Sequence, residues 1–438
     1  MLDAYVIGYA SIGLLFLFLA IGVPVAVSMV TVGVLGMYFG IGGSFLGGQL
    51  ASLPFATVNS YGLAVIPLFV LMGILAETAN ITTELFKTAE IWLRRFRGGL
   101  YQAVIVGSAL FSAISASTTI NALVFTRIAL PKMISFGYSK SLSLGAIAGA
   151  GSFAAMIPPS ITMVIYAIMT EQSIGQLLIA GVVPGMLTAF VYLLGTYLLV
   201  AFNPQLAPPI TEPASWPERW SSLGRIWPIV FLILSVMGGI YAGLYPPSAA
   251  GAAGAFGAFL FAVYYKKGIR GWMGTVLQES AIISCILFAI LIGGLLFSRM
   301  LVATGVIEHI VGSITSIADT PLKFMILTSI LFIILGCFLD TTSMLVVTLP
   351  FLYPVSVALD INPIWFGIVV VKLIEISVVT PPVGFNLFAV MSAINGQATF
   401  GDIYKGVVPF IIFDLLVLAL LVFVPGLATW LPEQMMNR

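Results

Sequence analysis

Charged side chains are scarce in this chain. Only 8% of its 438 residues are charged, while 60% are hydrophobic and the mean hydropathy is +1.15. A soluble domain carries about 25% charged residues, so we predict that lipid covers much of the chain. The net charge of +1 comes without a basic cluster. This argues against nucleic-acid binding, because a phosphate backbone attracts clustered Lys and Arg.

Histidine and cysteine are also rare. His309 is the single histidine, and most zinc sites and Ser-His-Asp triads need further partners that the chain does not offer. We expect His309 to lie at a helix end near the membrane interface. Cys285 and Cys337 lie in apolar runs, which predicts buried free thiols. A phosphate-binding GxxxxGK[ST] motif is absent, so ATP is not expected to act directly. Together these absences predict that the protein is not an enzyme.

Long apolar runs predict an all-α polytopic membrane protein. A helix crosses a bilayer with about 20 apolar residues. The N-terminal run lacks the positive region of a signal peptide, so we count it as a span. About ten spans are predicted, at residues 4–22, 24–41, 60–80, 141–170, 176–202, 226–244, 247–265, 278–303, 362–393 and 404–430.

Two further apolar stretches predict re-entrant helical hairpins. Residues 99–133 and 322–356 are each too long for one span and too short for two. Polar residues interrupt the middle of each stretch. Non-helical backbone at that depth is tolerated only where protein or a wet cavity covers it. We therefore expect two half-helices in each stretch, meeting at a polar tip near the middle of the membrane.

The chain repeats itself. The doublets Pro158-Pro159 and Pro381-Pro382 are 223 residues apart, and GVVP at 181–184 recurs at 406–409. We divide the chain into a first repeat, 1–205, a cytoplasmic linker, 206–225, and a second repeat, 226–438. Each repeat has about five spans and one hairpin. An odd number of spans inverts the second repeat relative to the first, as in many secondary transporters.

Positive residues predict the orientation, because cytoplasmic loops are rich in Lys and Arg. One side of the membrane carries few positive residues beyond Lys323 and Arg438, so this side is predicted to face outward. Both termini are then periplasmic. The segment 81–97 suits an amphipathic helix in the interface. The predicted cytoplasmic side holds Lys87, Arg94, Arg95, Arg97, Lys132, Lys140, Arg219, Arg225, Lys266, Lys267, Arg270 and Lys405.

The hairpin tips and the two proline doublets predict the transport site. Proline leaves backbone oxygens without a donor, and these oxygens with Ser and Thr hydroxyls suit a desolvated sodium ion. Half-helix N-termini attract an anion beside it. The symmetry predicts two sodium ions. The predicted sodium ligands are Ser115, Ser117, Thr118, Thr119, Asn121, Gly149, Gly151, Ser152, Asp340, Thr341, Thr342, Ser343, Thr380 and Gly384. The predicted substrate residues are Ser117, Pro158, Pro159, Ser160, Arg299, Lys372, Pro381, Pro382 and Asn386.

Several of these assignments have alternatives. Ser115 and Asp340 also suit helix caps, and hydroxyls at small-residue positions also serve helix packing. Lys372 and Glu375 are three residues apart, which allows a mutual ion pair as well as contact with an anion or a cation. Arg299 either extends to the interface or attracts substrate. By the repeat spacing, Ala116 is the predicted counterpart of Asp340, so the two ion sites need not be equivalent.

With SASTTIN and LDTTSM at its tips, and with MIPPSI, VTPPVG and the GVVP repeats, the chain resembles the large, DctM-like membrane subunit of tripartite ATP-independent periplasmic (TRAP) transporters. The resemblance covers essentially the whole length. It implies an elevator-type fold of the ion-transporter superfamily and uptake driven by a sodium gradient. It also implies a small four-helix membrane subunit, a periplasmic substrate-binding protein and a bacterial inner-membrane location. Family substrates are small organic anions such as C4-dicarboxylates and sialic acids.

Three other functions compete with this interpretation. A stand-alone sodium- or proton-coupled symporter would need no binding protein. An intramembrane enzyme would need a nucleophile with its base, paired aspartates or a metal site. A channel is disfavoured because the chain lacks a continuous charged lining.

Overall fold

The computed structural model describes residues 3–208, 214–336, 338–394 and 398–436, and all the regular secondary structure within them is helical. Part of the predicted linker, residues 209–213, lies outside it, as do Cys337 and Arg438. The helices of the first half are α1 (Ala4–Ala20), α2 (Val25–Gly40), α3 (Gly43–Val58), α4 (Val65–Thr78), α5 (Ile81–Leu93), α6 (Gly99–Ser115), α7 (Thr118–Ser135), α8 (Lys140–Gly151), α9 (Ile161–Met169), α10 (Ile174–Ala180) and α11 (Val182–Phe202).

The second half begins after the proline-rich segment. Its helices are α12 (Trp216–Ile233), α13 (Gly239–Tyr241), α14 (Pro247–Lys266), α15 (Met273–Ala303), α16 (Val306–Ile317), α17 (Pro321–Leu335), α18 (Thr341–Ala358), α19 (Pro363–Ser377), α20 (Phe385–Ala393), α21 (Phe400–Phe423) and α22 (Gly426–Met436). A π-helical turn, Leu234–Gly238, joins α12 to α13.

The predicted spans correspond to helices of unequal length. In the described residues, seven helices are long and apolar enough to cross a membrane, or up to eight if the bent pair α16–α17 is one span. One of the seven is α18, an arm of the second predicted hairpin. Six of the ten predicted spans match the other long helices. The first two spans are shorter apolar helices, α1 and α2, and the remaining two are each divided into a pair of helices, α8–α9 and α19–α20.

Helix beginnings recur at the spacing of the sequence motifs. Helices α7 and α18 begin 223 residues apart (341 − 118), and α8 and α19 also begin 223 apart (363 − 140). Helices α9 and α20 begin 224 apart (385 − 161). In both halves the elements therefore follow in the same order: a hairpin comes first, then a broken span, then a long helix. The inversion of one half relative to the other remains a prediction.

Polar caps explain where the short helices begin. An N-terminal turn leaves backbone N–H groups without partners inside the helix, and Ser, Asn or Asp side chains accept from them. The side chain of Ser160 accepts from the N–H of Met163 (3.4 Å) to begin α9. Asn362 accepts from Ile364 (2.9 Å) and Trp365 (3.0 Å) to begin α19. Each cap therefore lies at a residue where the sequence turns from polar to apolar.

The helices pack in two groups. In one group α2 packs on α15 and on α1, and α4 packs on α14. Helix α5 packs on both α12 and α6, and so lies between this group and the next. In the other group α8 packs on α21, with α6, α7, α11 and α19 around this pair. Small residues permit the close crossing of α8 and α21, as is common between membrane helices. A Cβ added to Gly145 would lie 2.0 Å from the carbonyl oxygen of Gly406.

Large apolar side chains cover the outside of the molecule. Phe55, Phe338 and Leu244 are each more than 70% exposed, which is normal where lipid is the solvent. The prediction that Cys285 is buried is wrong. This residue is exposed on α15, because an apolar run in a membrane protein need not face the core. His309 lies in the first turn of α16 and stacks on Tyr5, which is a helix end as predicted.

Candidate functional site

The two predicted hairpin tips meet inside the molecule. Helix α6 ends at Ser115 and α7 begins at Thr118, while α18 begins at Thr341. The hydroxyl oxygens of Thr118 and Thr341 are 3.4 Å apart. A cavity of about 220 Å³ lies at this meeting point. It is lined by Val70, Ser115, Ala116, Ser117, Thr118, Thr119, Ile120, Ile161, Thr162, Ile283, Leu287, Asp340, Thr341, Thr342 and Phe385.

The first tip presents several hydroxyls to the cavity. Ser117 caps α7 by accepting from the N–H of Ile120 (3.4 Å). The Oγ of Ser115 is buried and has no protein partner among the described residues. A buried hydroxyl without a partner is costly, which marks Ser115 as a place where an ion or water fits. Thr118 and Thr119 complete the polar wall on this side.

Asn121 is held within the hairpin, away from the cavity lining. Its Nδ2 donates to the carbonyl oxygen of Ser108 (3.2 Å) and to the Oγ of Ser112 (2.7 Å), and its Oδ1 accepts from the Oγ of Ser108 (2.8 Å). The same Ser108 hydroxyl lies 2.8 Å from the carbonyl oxygen of Ala150. Asn121 therefore ties α6 to α7, and Ser108 and Ser112 contribute hydrogen bonds as well as close packing.

The second tip is built around a carboxylate. Asp340 caps α18, since its Oδ2 accepts from the N–H groups of Thr342 (3.1 Å) and Ser343 (3.5 Å). Its Oδ1 accepts from the Oγ of Ser343. Asp340, Thr341 and Thr342 line the cavity. Because Asp340 and Ser117 both cap the helix that leaves the tip, the counterpart of Asp340 is Ser117, and the predicted pairing with Ala116 is wrong by one residue.

The break in the first span lies directly behind the first tip. Helix α8 ends at Gly151, and a 3₁₀ turn, Ser152–Ala155, leads to the cis Pro158–Pro159 bond. Ser160 then donates to the carbonyl oxygen of Ala155 (2.6 Å). A Cβ on Gly151 would lie 2.7 Å from the Cβ of Ala122 on α7. Break and tip are therefore in direct contact.

The break in the second span is arranged in the same way. It extends from the end of α19 at Ser377 to Phe385 and contains the cis Pro381–Pro382 bond. Thr380 donates to the carbonyl oxygen of Ile376 (2.7 Å), and Gly384 has a φ of +56°. The Nδ2 and Oδ1 of Asn386 are buried and have no protein partner among the described residues. Asn386 is therefore a second place where a ligand would satisfy buried polar atoms.

The second tip touches this break through glycine. A Cβ on Gly336 would lie 2.4 Å from the Cβ of Ser377 and 2.7 Å from its carbonyl oxygen. The backbone of the tip thus rests directly on the end of α19. Since Phe385 at the start of α20 also lines the cavity, the second tip and the second break share one wall.

Lys372 belongs to a separate cluster that is fully buried. Its Nζ donates to Glu375 Oε2 (2.9 Å), to Asp414 Oδ1 (2.6 Å) and to Thr188 Oγ1 (3.2 Å). Tyr192 donates to Asp414 Oδ2 (2.8 Å). An ammonium group has three donors, and all three are used. The geometry thus favours the ion-pair alternative, and contact between Lys372 and substrate stays a prediction.

Two other predicted residues lie apart from the cavity. Arg299 is exposed in the last two turns of α15. Gly149 faces Tyr192 and Phe410, since an added Cβ would lie 3.1 Å from both side chains. Neither lines the cavity, and their predicted roles have no support from their positions. The proline doublets do not line the cavity themselves. They form the two breaks, which contact the tips.

The family model of the DctM component of the tripartite ATP-independent periplasmic transporters matches residues 12–427. The chain belongs to this family. Its structure is thus that of the large permease component of a TRAP transporter, a multi-pass membrane protein. The DctM component is one part of a tripartite system, as the family's name states.

Two relatives of this permease illustrate the range of substrates. The C4-dicarboxylate TRAP transporter large permease of Pseudomonas aeruginosa is 32% identical over 88% of this chain and 89% of its own length. The sialic acid TRAP transporter large permease of Vibrio cholerae is 28% identical over 86% of this chain and 87% of its own length. Both relatives are transporter permeases.

A solved structure supports the fold. The YdaH transporter of Alcanivorax borkumensis has a TM-score of 0.58, covers 86% of this chain and 88% of its own, and is 14% identical in sequence. At that identity the likeness concerns the fold alone. The prediction of an all-α transporter fold is confirmed.

Sequence reasoning missed several residues of the cavity and of the separate buried cluster around Lys372. Asp414 was detectable, because it is a lone carboxylate in the apolar run FIIFDLLVL and ionisable residues inside spans default to function. Tyr192 and Thr188 gave no such signal. Val70, Ile283 and Leu287 are ordinary apolar residues in sequence, and only the fold brings them to the cavity.

Proposed function

We propose that this TRAP permease takes up a small organic anion, of the C4-dicarboxylate class, together with sodium ions. The observation that carries the proposal is the convergence of both hairpin tips on one polar cavity, with Thr118 and Thr341 3.4 Å apart. Each tip also touches a broken span. The site therefore combines oxygen ligands for a cation with helix N-termini for an anion.

Sodium would be held mainly by oxygens that carry no charge. Thr380, Ser152 and Ser160 each donate their hydroxyl hydrogen to a backbone carbonyl 2.6–2.7 Å away. These three residues belong to the breaks and do not line the cavity itself, so their hydroxyl oxygens would face a cation held between a tip and its break. Asp340 at the second tip adds a carboxylate. Among the described residues no group of three or more His, Cys, Asp or Glu could hold a metal ion, so sodium rather than a transition metal fits these ligands.

The anion would lie between the two helix N-termini. Helices α7 and α18 begin at the cavity, and their first N–H groups with the helix dipole favour negative charge. Asp340 repels an anion unless a cation lies between them, so substrate and sodium would bind together. The C4-dicarboxylate class is the one named for the Pseudomonas aeruginosa relative, which is 32% identical, whereas the sialic acid relative is 28% identical.

The two packing groups support an elevator mechanism. The first tip and both breaks pack around α8 and α21, and α18 of the second tip packs both on α19 and on α15 of the other group. We propose that the group around α8 and α21 moves and the other group stays fixed in the bacterial inner membrane, with both termini periplasmic. The fixed group would bind the small four-helix subunit, and a periplasmic binding protein would deliver substrate.

The decisive experiment is uptake of labelled C4-dicarboxylate into proteoliposomes that contain this permease and its small subunit. We expect uptake only with an inward sodium gradient and with the cognate binding protein present. Uptake on sodium alone would support the alternative, a stand-alone symporter. Uptake that is equal with and without the sodium gradient would refute the proposed coupling of transport to sodium.

Variants of the tips test the site itself. We expect Asp340→Asn and Ser117→Ala to reduce sodium-driven uptake at least tenfold, with insertion and monodispersity retained. Ser135→Ala is the matched control, because Ser135 lies at the opposite end of α7, where it donates to the carbonyl oxygen of Lys132 (2.8 Å). If the tip variants lose folding rather than uptake, the tips serve capping and packing, and the ion sites lie elsewhere.

A further inference from the structure

A second cavity, lined by basic residues, lies on the predicted cytoplasmic side of the permease. It has a volume of about 600 Å³ and is found where the corner between α4 and α5 meets α12 and the end of α14. Lys87 of α5, Arg225 of α12 and Lys266 of α14 line it, together with one acidic residue, Glu84. Three helices that are distant in sequence thus each bring a cation to one cavity.

The single carboxylate does not neutralise this basic cavity. Glu84 lies 2.8 Å from the Nζ of Lys87 and 3.5 Å from an Nη of Arg225, so it is shared between two cations. Both pairs are partly exposed, and such pairs contribute little stability. Lys266 forms no ion pair among the described residues. Three positive charges less one negative charge leave the wall with a net charge of +2.

The repeat shows that the fold does not need these cations. Helix α16 begins 225 residues after α5 (306 − 81), which is the spacing of the GVVP segments. It contains no Lys or Arg, and the counterpart of Lys87 is Gly312. At the spacing of 223, the counterpart of Lys266 is Gly43. Equivalent helices therefore form without positive residues, and the basic cavity is a property of one side of the membrane.

Aromatic side chains place the basic cavity at the level of the lipid headgroups. Trp220 and Trp227 lie on either side of Arg225 in α12, and both are more than half exposed. Tyr264, next to the cavity-lining Tyr265 on α14, is also mostly exposed. Trp and Tyr concentrate where headgroups meet the hydrocarbon. A phosphate group at this depth would belong to the membrane surface.

Apolar side chains continue from the basic cavity into the membrane region. Phe231 of α12 and Leu260 and Phe256 of α14 are each about half exposed or more, on the two helices that also supply Arg225 and Lys266. Basic pockets between membrane helices on the cytoplasmic side are suited to anionic headgroups. We propose that this cavity binds the phosphate of an anionic phospholipid of the cytoplasmic leaflet, with the acyl chains lying along α12 and α14.

Such a lipid would act on the helix between the two packing groups. Helix α5 packs on α12 and on α6 of the first hairpin, and its Glu90 pairs with Lys132 of α7. A phosphate between Lys87 and the cations of α12 and α14 would hold the beginning of α5 against the fixed group. This consequence rests on the elevator motion proposed above, whereas lipid binding itself does not.

Native mass spectrometry of the purified permease, mixed with phosphatidylglycerol or with zwitterionic phosphatidylcholine, measures binding without transport. We expect one phosphatidylglycerol to be retained at least tenfold more tightly than phosphatidylcholine. Each Lys or Arg near an anionic lipid surface changes affinity by roughly fivefold, so Arg225→Gln/Lys266→Gln should weaken phosphatidylglycerol binding by roughly 25-fold. Equal retention of the two lipids by the wild type would overturn the proposal.

The matched control is Arg95→Gln/Arg97→Gln. It removes the same charge from the same predicted side, just beyond the end of α5, and neither residue lines the basic cavity. We expect it to bind phosphatidylglycerol as the wild type does. An equal loss in both double variants would show that only the total positive charge of this side counts, as for membrane orientation, and would overturn a specific site.

Two variants keep the test independent of a folding defect. Arg225→Lys/Lys266→Arg preserves the charges, so we expect binding within a fewfold of the wild type. Glu84→Gln removes the only negative group of the cavity wall, so we expect phosphatidylglycerol to bind several-fold more tightly. No gain with Glu84→Gln would contradict the proposal.

A soluble phosphate compound shares the same chemistry but has no use for the apolar path along α12 and α14. Inorganic phosphate and glycerol phosphate are therefore added as competitors of phosphatidylglycerol. We expect neither to displace the lipid at a hundredfold excess. Displacement at equal concentration would assign the cavity to a soluble phosphate ligand and overturn the lipid proposal.

Discussion

Replacement of Gly406 by alanine tests the crossing of α8 and α21, the helix that carries the buried Asp414. A Cβ at Gly406 would lie 1.7 Å from the carbonyl oxygen of Ser141 and 2.5 Å from its carbonyl carbon. Both are backbone atoms of α8, so no side chain can turn away to make room. An ordinary carbon–oxygen contact is about 3.3–3.6 Å, so the helices must separate locally by roughly 1.5–2 Å.

The expected cost follows from that separation. Extra methyl groups in a packed core cost typically about 1–3 kcal/mol and occasionally more. Membrane helices associate largely through close packing. We therefore expect Gly406→Ala to destabilise the protein by an amount near or above the upper end of that range. Gly401→Ala is the matched control on the same helix, because its Cβ would meet only Thr399 Oγ1 at 3.7 Å. At position 401 alanine is expected to stabilise the helix by up to about 1 kcal/mol relative to glycine, because alanine has the higher helix propensity.

The assay is thermal unfolding of the two purified variants, followed by size-exclusion chromatography of the heated samples. We expect Gly406→Ala to unfold several degrees below the wild type, and Gly401→Ala to unfold at or slightly above it. Asp414 lies two turns beyond Gly406 on α21, so the shift should also disturb the buried cluster. Equal unfolding temperatures for the two variants would refute the close crossing.

Two further predictions concern buried contacts of single residues. Lys372→Gln removes the ammonium group that pairs with Asp414 (2.6 Å), and the loss of one partner from a buried pair costs about 3–5 kcal/mol. We expect a large drop in unfolding temperature, and a smaller drop than for Glu375→Gln would contradict the ion-pair assignment. Gly336→Ala places a Cβ 2.4 Å from the Cβ of Ser377, so we expect weaker sodium-dependent uptake. Gly312→Ala, which meets no atom within 4 Å, serves as its control, and equal uptake by both would contradict the contact between tip and break.

The sequence predicted the parts of the site where a helix must stop inside an apolar run. Polar tips and proline doublets are conspicuous in such runs, because few residues there are polar. Helices α7 and α18 begin at Thr118 and Thr341, within the predicted tips. The local rule succeeds because breaks and caps depend on residues that are close in sequence.

Prediction failed where residues from distant helices meet. Lys372 has its strongest partner in Asp414, 42 residues away, and Tyr192 reaches the same carboxylate over 222 residues. The helical spacing of residues predicted only Glu375 as a partner of Lys372. The orientation of Asn121 toward Ser108 and Ser112 likewise depends on the rotation of α7 in its hairpin, and sequence spacing does not specify that rotation.

The two contacts at the repeat spacing show how the halves have diverged. Thr118 meets Thr341, and Ser152 meets Glu375, each over 223 residues. The caps differ as well, since Ser117 of the first tip corresponds to Asp340 of the second. At the Ser152–Glu375 contact and at the two caps, the first half supplies a hydroxyl and the second half supplies a carboxyl group. Because a carboxylate binds a cation more strongly than a hydroxyl does, the second-half ion site should bind sodium more tightly than the first. If sodium binds at both tips, as proposed, this difference predicts that the second-half site fills first.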